Sequence, residues 1–327
     1  MSQSVELKSG ETLECRTIDE PKDEDTAAVE NLLGHKGTPW LYHIEQWAEG
    51  RIKRLETRFY VASINGINVG NIMTVEHKGI GLMGHVYTDP KHRRKGICNV
   101  LMDYHMNDFR KRDGVILCLN TGYRSPAYMI YERNGYRPIP GRPGSMWWSP
   151  QYWDVESPFD EVGIYDDLSK ADVTEPQWHH WPSMNLFTHL STEQIVRSVS
   201  YGIFDIHHSE AQFLQMMLDA HEGGDTQVNV LETSEGHVAG LASLAPDHRW
   251  GKAGESYVFD IFVHPGTYGY IPDMVKEFRW PEAHVLVYLA ETDHEVIDQL
   301  AECGFHPHSH IERFFRGDTG LVIMDRD

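Results

Sequence analysis

Three landmarks recur along the 327-residue chain at nearly constant offset. Gly70 and Gly240 lie 170 residues apart, Pro90 and Pro265 lie 175 apart, and Gly135 and Gly304 lie 169 apart. Register kept at three separated points is the mark of an internal duplication, so the chain is restricted to two copies of one supersecondary plan. The first copy alternates strand and helix patterns. Residues 12–18 alternate like an edge strand, and residues 25–33 carry helical spacing. Residues 59–64 and 67–74 flank Asn65-Gly66, a pair that supplies the two positive φ angles of a type I′ hairpin. A strand over 80–88 stops at Asp89-Pro90, a helix follows over about 97–112, and the apolar run 115–119 suits a buried strand. A short helix over 126–134 closes on Gly135. The second copy repeats this with a hairpin over 228–241, a strand over 257–263, an apolar run over 285–289 and a helix over 295–302. Between the copies, Gly141-Arg142-Pro143-Gly144 marks the end of the first, and the aromatics Trp147, Trp148, Tyr152, Trp153 and Phe159 predict a packed connection. The expected domains are 1–150 and 173–327, joined by 151–172.

Charge separates the copies. Residues 1–150 carry 20 basic and 18 acidic side chains, a net +2, whereas residues 151–327 carry 9 and 31, a net −22. The total of −20 argues against nucleic acid as a partner, because phosphate backbones require a basic footprint. No apolar run reaches the roughly 20 residues that span a bilayer, and residues 1–6 lack the basic and apolar regions of a secretion signal. A cytoplasmic location without membrane attachment is therefore expected; the sequence does not fix an oligomeric state. Cys15, Cys98, Cys118 and Cys303 show no metal spacing, and the pairs His179-His180 and His207-His208, read as pointing to opposite sides, give no ligand pattern, so no metal is expected.

The chemistry concentrates in one segment. A strand ending at Pro90 runs into Arg93-Arg94-Lys95-Gly96-Ile97-Cys98 and then a helix. Unpaired amides at a helix N-terminus, a glycine that admits close backbone approach and three cations together make an anion site. This order, followed by Ala127-Tyr128-Met129-Ile130-Tyr131-Glu132-Arg133-Asn134-Gly135-Tyr136, resembles the GNAT acetyltransferase superfamily over about residues 12–150; across 165–320 only the topology is similar. The resemblance implies an α/β (α+β) fold of two GNAT-like domains, each a mixed, mostly antiparallel central sheet flanked by helices. It implies an acetyl-CoA-dependent N-acetyltransferase acting on a primary amine of a small molecule or peptide by direct attack in a ternary complex. Val86 and Thr88 would hold the pantetheine arm, residues 93–98 the pyrophosphate, and Tyr131 would protonate the leaving thiolate. Cys98 stands where the family has Gly or Ala, and Arg124 where Asn is usual, which alters a contact to the arm. His85, the only histidine of that strand, is the candidate base, with Glu76 behind it. The acidic second half favours a cationic amine by steering. Transfer of another acyl group and a non-catalytic acyl-CoA sensor are the alternatives.

The second copy reads Gly266-Thr267-Tyr268-Gly269-Tyr270-Ile271-Pro272 after Pro265, without Lys or Arg, and Leu300 takes the place of Tyr131. It is expected to shape the substrate pocket or serve as scaffold.

Overall fold

The computed structural model describes residues 2–151, 162–249 and 255–326. Contacts divide the chain into Met1–Pro158 with Trp181–Ser183, and Phe159–His180 with Met184–Asp327. Tyr152, Trp153 and Phe159 of the expected connection lie outside the described residues. Trp147 and Trp148 are not part of a connection, because they belong to a strand of the first sheet and are buried in it.

In the first unit the elements are β1 (Ser2–Glu6), β2 (Thr12–Ile18), α1 (Asp23–Leu33), α2 (Trp40–Ala48), β3 (Glu56–Ile64), β4 (Ile67–His77), β5 (Ile80–Thr88), α3 (Ile97–Lys111), β6 (Ile116–Asn120), α4 (Pro126–Arg133), β7 (Arg137–Ile139) and β8 (Arg142–Trp148). They form one eight-stranded sheet in the order β1-β2-β3-β4-β5-β6-β8-β7. The β5–β6 pair is parallel and the other pairings are antiparallel, as the predicted mixed sheet requires. β2 is not the edge, since β1 pairs along its whole length. The Gly141 turn does not end the unit either; with φ +76 it turns β7 back onto β8. Asn65 and Gly66 both have positive φ, as the type I′ turn demands.

The apolar periodicity is explained by what each face covers. Ile97, Leu101 and Phe109 of α3 join Tyr60, Ile72 and Leu117 of the sheet and Tyr128 and Tyr131 of α4 in one core. β6 is buried on both faces, with residues 116–119 at 2% exposure or less, which is why it reads as a continuous apolar run.

The second unit comprises β9 (Ala171–Thr174), α5 (His180–Phe187, apart from Trp181–Ser183, which group with the first unit), the ribbon β10 (Val196–Ser198) and β11 (Ile203–Phe204), α6 (Glu210–Glu222), β12 (Gln227–Thr233), β13 (Val238–Pro246), β14 (Ser256–Val263), α7 (Ile271–Lys276), β15 (His284–Ala290), α8 (His294–Glu302), β16 (His306–Ile311) and β17 (Leu321–Arg326). Its main sheet runs β16-β17-β15-β14-β13-β12-β9, the first unit's order without β1 and read from the other end. In both sheets one parallel pair sits at the same place, β5 with β6 and β14 with β15. The duplication read from three landmarks is thus a duplication of topology. β15 departs from its counterpart: Val285, Val287 and Leu289 are buried, while His284, Leu286 and Tyr288 lie on a half-open face.

Candidate functional site

β5 is held to its two neighbours unequally. It pairs with β6 only through residues 80–82, so from Met83 onward its second edge faces an opening. Against β4 the register passes from Asn71↔Tyr87 to Met73↔Gly84, which sets Ile72 opposite both His85 and Val86. This is a β-bulge, with His85 at φ +50, and the buried Asn71 side chain fixes it by donating from Nδ2 to the His85 carbonyl at 3.1 Å. Beyond the bulge, the Asp89 amide donates to Val69 O at 2.9 Å. Strand alternation then directs the Thr88 amide the other way, into the opening, while Val86 lies in the bulge itself, where alternation is interrupted.

The chain leaves β5 through a tight, self-bonded turn. The Asp89 carboxylate accepts from the Lys91 amide at 2.8 Å and caps one turn of 3-10 helix over Pro90–His92. Arg93 Nε donates to Thr88 O at 3.1 Å, tying the loop back to the strand end. Arg94 (φ +63) and Gly96 (φ +88) both adopt the left-handed region, which costs roughly 1–2 kcal/mol at a non-glycine residue and almost nothing at glycine. The α3 ladder starts with Val100 N donating to Gly96 O, leaving the amides of the first turn outside it. Gly70 lets this end of α3 approach β4: a Cβ there would stand 3.3 Å from both Ile97 Cγ2 and Tyr87 O. Lys95 differs from expectation in that its ammonium is already engaged by Glu11 at 2.8 Å, which leaves Arg93, beyond its one backbone bond, and Arg94 as the guanidinium groups of the loop engaged in no ion pair among the described residues.

These elements enclose a cavity of about 1220 Å³, larger than the roughly 300–1,000 Å³ of ordinary small-molecule sites. Val86, Thr88, Arg93, Arg94, Lys95, Gly96, Ile97 and Cys98 all line it, and Tyr131 joins them from α4. The wall also includes Ser125, Pro126, Ala127 and Ile130, presented because Ser125 caps α4 by accepting from Tyr128 N at 3.1 Å. Tyr87, His92, Asn99 and Val100 add to the wall from the strand end, the turn and α3, and Glu6, Leu7, Lys8 and Ser9 from the end of β1 and the turn after it. This last group was missed by sequence reasoning, since β1 is short, polar and without apolar alternation, and residues 7–9 lie in the turn that follows it. Burial pushes the Cys98 thiol up to about 11, so it is a neutral wall group and no nucleophile at pH 7.

Two of the predicted site residues lie elsewhere. Arg124, at φ +57, is exposed, with its guanidinium 5.1 Å from the Tyr123 ring centroid. The His85 ring is buried against Trp40 of α2, edge to face at 5.3 Å, and does not line the cavity. Glu76 lies outside it as well. Arg112 holds it at 2.7 Å in a network with Asp108 and Tyr60, although burial outweighs that cation and keeps the carboxyl above its usual range.

At the equivalent place in the second unit the strand pair still diverges, with β14 joining β15 through residues 256–258 alone. The β13–β14 register, however, runs unbroken from Gly240↔Val263 to Pro246↔Tyr257, without a bulge. Asp260 stands five residues before Pro265, as His85 stands before Pro90. Its carboxylate is fully employed, accepting from Val199 N (2.7 Å), Ser200 N (2.9 Å), Ser198 Oγ (2.9 Å) and Ser243 Oγ (3.1 Å). Pro272 occupies the first turn of the six-residue α7, and Leu300 is core.

The adjacent histidines behave differently from expectation. His179 and His180, at the start of α5, do not diverge; their Nε2 atoms both meet Glu232, at 3.3 and 3.1 Å. The reason is local, because His179 already has helical φ and ψ as the N-cap residue and both rings reach one carboxylate on β12. His208 pairs with Glu210 at 3.0 Å and His207 with Gln212 at 3.1 Å. No helix among the described residues is long and apolar enough to cross a membrane.

Residues 56–138 match the acetyltransferase (GNAT) domain family, a span running from β3 into β7 and containing the bulge, the loop and α4. No curated protein sequence matches the chain. Among solved structures, a GNAT-family acetyltransferase from Streptococcus pneumoniae is similar at 11% identity and a TM-score of 0.39, covering 48% of this chain and 98% of its own. A GCN5-related N-acetyltransferase from Kribbella flavida is 18% identical at 0.37, covering 49% and 99%. A ribosomal-protein-alanine N-acetyltransferase from Brucella melitensis is 14% identical at 0.38, covering 47% and 98%.

Proposed function

We propose that this chain, whose residues 56–138 match the GNAT acetyltransferase domain family, transfers an acetyl group from acetyl-CoA to a primary amine, using a single site in the first unit. The observation that carries this reading is the 1220 Å³ cavity, which joins the bulged end of β5, the amide-rich start of α3 and Tyr131. Bound there, acetyl-CoA supplies an activated thioester. The protein's part is to grip, polarise and move protons.

Amides at the α3 N-terminus, together with Arg93 and Arg94, suit a diphosphate: the helix end carries partial positive charge and the guanidinium groups add fork-shaped donors. The Val86 and Thr88 amides suit the amide-bearing arm of the donor, and an amide at the bulge stabilises charge developing on the thioester oxygen. Tyr131 is the acid for the leaving thiolate, a phenol that is neutral at pH 7 and able to donate. The His85 ring, packed against Trp40 and off the cavity wall, is not positioned to take the amine's proton directly, and the base is assigned to no residue. An alkylammonium with a pKa near 10 must lose that proton before it can attack. The net charge of −22 over residues 151–327 favours a cationic acceptor.

The test is a panel of polyamines, amino sugars and peptide N-termini incubated with acetyl-CoA, following thiol release. Turnover with one amine class supports the reading. Tight CoA binding with no turnover on any amine would replace it with a non-catalytic acyl-CoA sensor, and turnover only with longer acyl donors would change the group transferred.

A further inference from the structure

We infer that the second unit carries a surface site for a late first-row divalent metal ion such as Zn²⁺, built from His284, His308 and Asp325. The three residues come from three adjacent strands, with Asp325 on the middle one, β17, and one imidazole on each flanking strand. Register explains the convergence. Asp325 lies opposite Leu286 of β15, so it shares a face with Leu286 and with His284 two residues earlier, the half-open face of that strand. On β16, Pro307 pairs with Met324 and Ser309 with Ile323, which leaves His308 as the extra residue of a bulge. Bulges re-aim side chains, and here the result is that His308 Nδ1 stands 3.0 Å from Asp325 Oδ2 while His284 Nε2 stands 3.1 Å from the same oxygen. The three atoms lie within 4.8 Å of one another. Zinc bonds of about 2.0–2.1 Å at tetrahedral angles give ligand–ligand edges of roughly 3.3 Å, close to both distances to Asp325 Oδ2, and the two partly exposed imidazoles adjust their mutual separation as the ion binds.

A comparison inside the same unit distinguishes this cluster from a mere hydrogen-bonded group. The ring nitrogens of His179 and His180 and a carboxylate oxygen of Glu232 also lie within 4.8 Å of one another. There, however, His180 Nδ1 accepts a hydrogen bond from the Gln177 amide at 3.0 Å. A neutral imidazole has one lone pair, so His180 Nε2 carries the proton and donates to Glu232; it has no lone pair for a metal. His284 and His308 are under no such constraint. Their side chains are 39% and 48% exposed, so water can take the N–H of the distal nitrogen and leave the proximal lone pair facing the ion. Two imidazoles and one carboxylate are borderline donors that favour Zn²⁺ and its neighbours over Mg²⁺ or Ca²⁺, and three protein ligands leave a fourth position for water or a further donor.

The experiment is Zn²⁺ titration of the untagged full chain by calorimetry, with Co²⁺ absorption as a second readout. Wild type is compared with His308→Gln, Asp325→Asn and His284→Gln, and with His310→Gln as control, a residue of the same strand that pairs with Glu291 at 2.9 Å. All the ligand positions are partly exposed, and unchanged thermal melting in EDTA confirms that the variants fold. We expect a Zn²⁺ site weakened at least tenfold by each of the three substitutions and unaffected by His310→Gln, with Co²⁺ giving the intense visible bands of low coordination. Binding no tighter than millimolar overturns the proposal. So does binding that survives Asp325→Asn, including binding that is lost instead in Glu232→Gln.

Discussion

At the scale of single residues, the proposed chemistry turns on Tyr131. It is almost wholly buried on α4, its ring 6.0 Å from that of Tyr136, and yet it reaches the cavity wall. That placement separates two roles. As a core aromatic, Tyr131 fills volume, which phenylalanine does equally well; as an acid, it needs the hydroxyl. General acid catalysis contributes about 10²–10⁴ in rate, so Tyr131→Phe is expected to lower kcat by about 10² or more while the KM for acetyl-CoA changes little. Steady-state kinetics with the best amine of the panel decides it, and unchanged kcat would remove Tyr131 from the acid role. The residues around it show how far a sequence reveals a site. The run from Arg93 to Cys98 was legible as a candidate because of its setting, a glycine and three cations between a strand that stops at Pro90 and the start of a helix. Lys95's engagement by Glu11 was not, since Glu11 is 84 positions away in sequence and only the fold brings the two together.

At the scale of elements, the packing of α3 against β4 sets where its N-terminus points, and a buried histidine helps fix that contact. His105 of α3 lies 2.7 Å from Thr74 Oγ1 of β4, wholly buried, and burial, reinforced by Arg112, pushes its pKa down to about 3. In the unfolded chain a histidine titrates near 6.5. Between these values the unfolded state binds a proton that the native state refuses, so His105's contribution is intact above about pH 6.5 and is lost progressively as pH falls toward 3. Urea midpoints of wild type and His105→Gln measured across that window should diverge in slope, with the variant flatter by up to about 1.4 kcal/mol per pH unit; parallel profiles would show that His105 is not the group responsible. The elements were read from sequence with uneven success, for physical reasons. β5 and the Asn65-Gly66 hairpin were legible because local turn chemistry defines them. The bulge at His85 was not, because it is a property of register against β4 and leaves no composition signal. β1 and β16 share that fate, being polar edge strands with no buried face to impose alternation.

At the scale of the whole chain, the two units share some features and differ in others, and the differences bear on the proposal that only one copy performs chemistry. Both units retain the strand order, the single parallel pair and the divergence beyond it, because these follow from how each sheet closes over its own core. Among its described residues the second unit lacks a bulge between β13 and β14, cations over residues 266–272 and a tyrosine where Leu300 stands, none of which its core needs. Gly240 remains for a packing reason alone: a Cβ there would stand 2.9 Å from Leu231 Cβ and 3.3 Å from Met274 Sδ, much as Gly70 clears Ile97. Glycine recurrence therefore reports the fold, and cation recurrence would have reported the site. This difference fixes a stoichiometry. Calorimetric titration with CoA should give one site per chain, and Arg94→Glu, which reverses an exposed loop charge without touching the core, should abolish it. Ligand present at about 100 times its dissociation constant adds roughly 2.7 kcal/mol to whatever it binds, so a thermal shift on CoA addition should be present in wild type and missing in Arg94→Glu. Two sites per chain, or a thermal shift that persists in Arg94→Glu, would mean that the second unit binds cofactor without loop cations, and the single-site reading would fall.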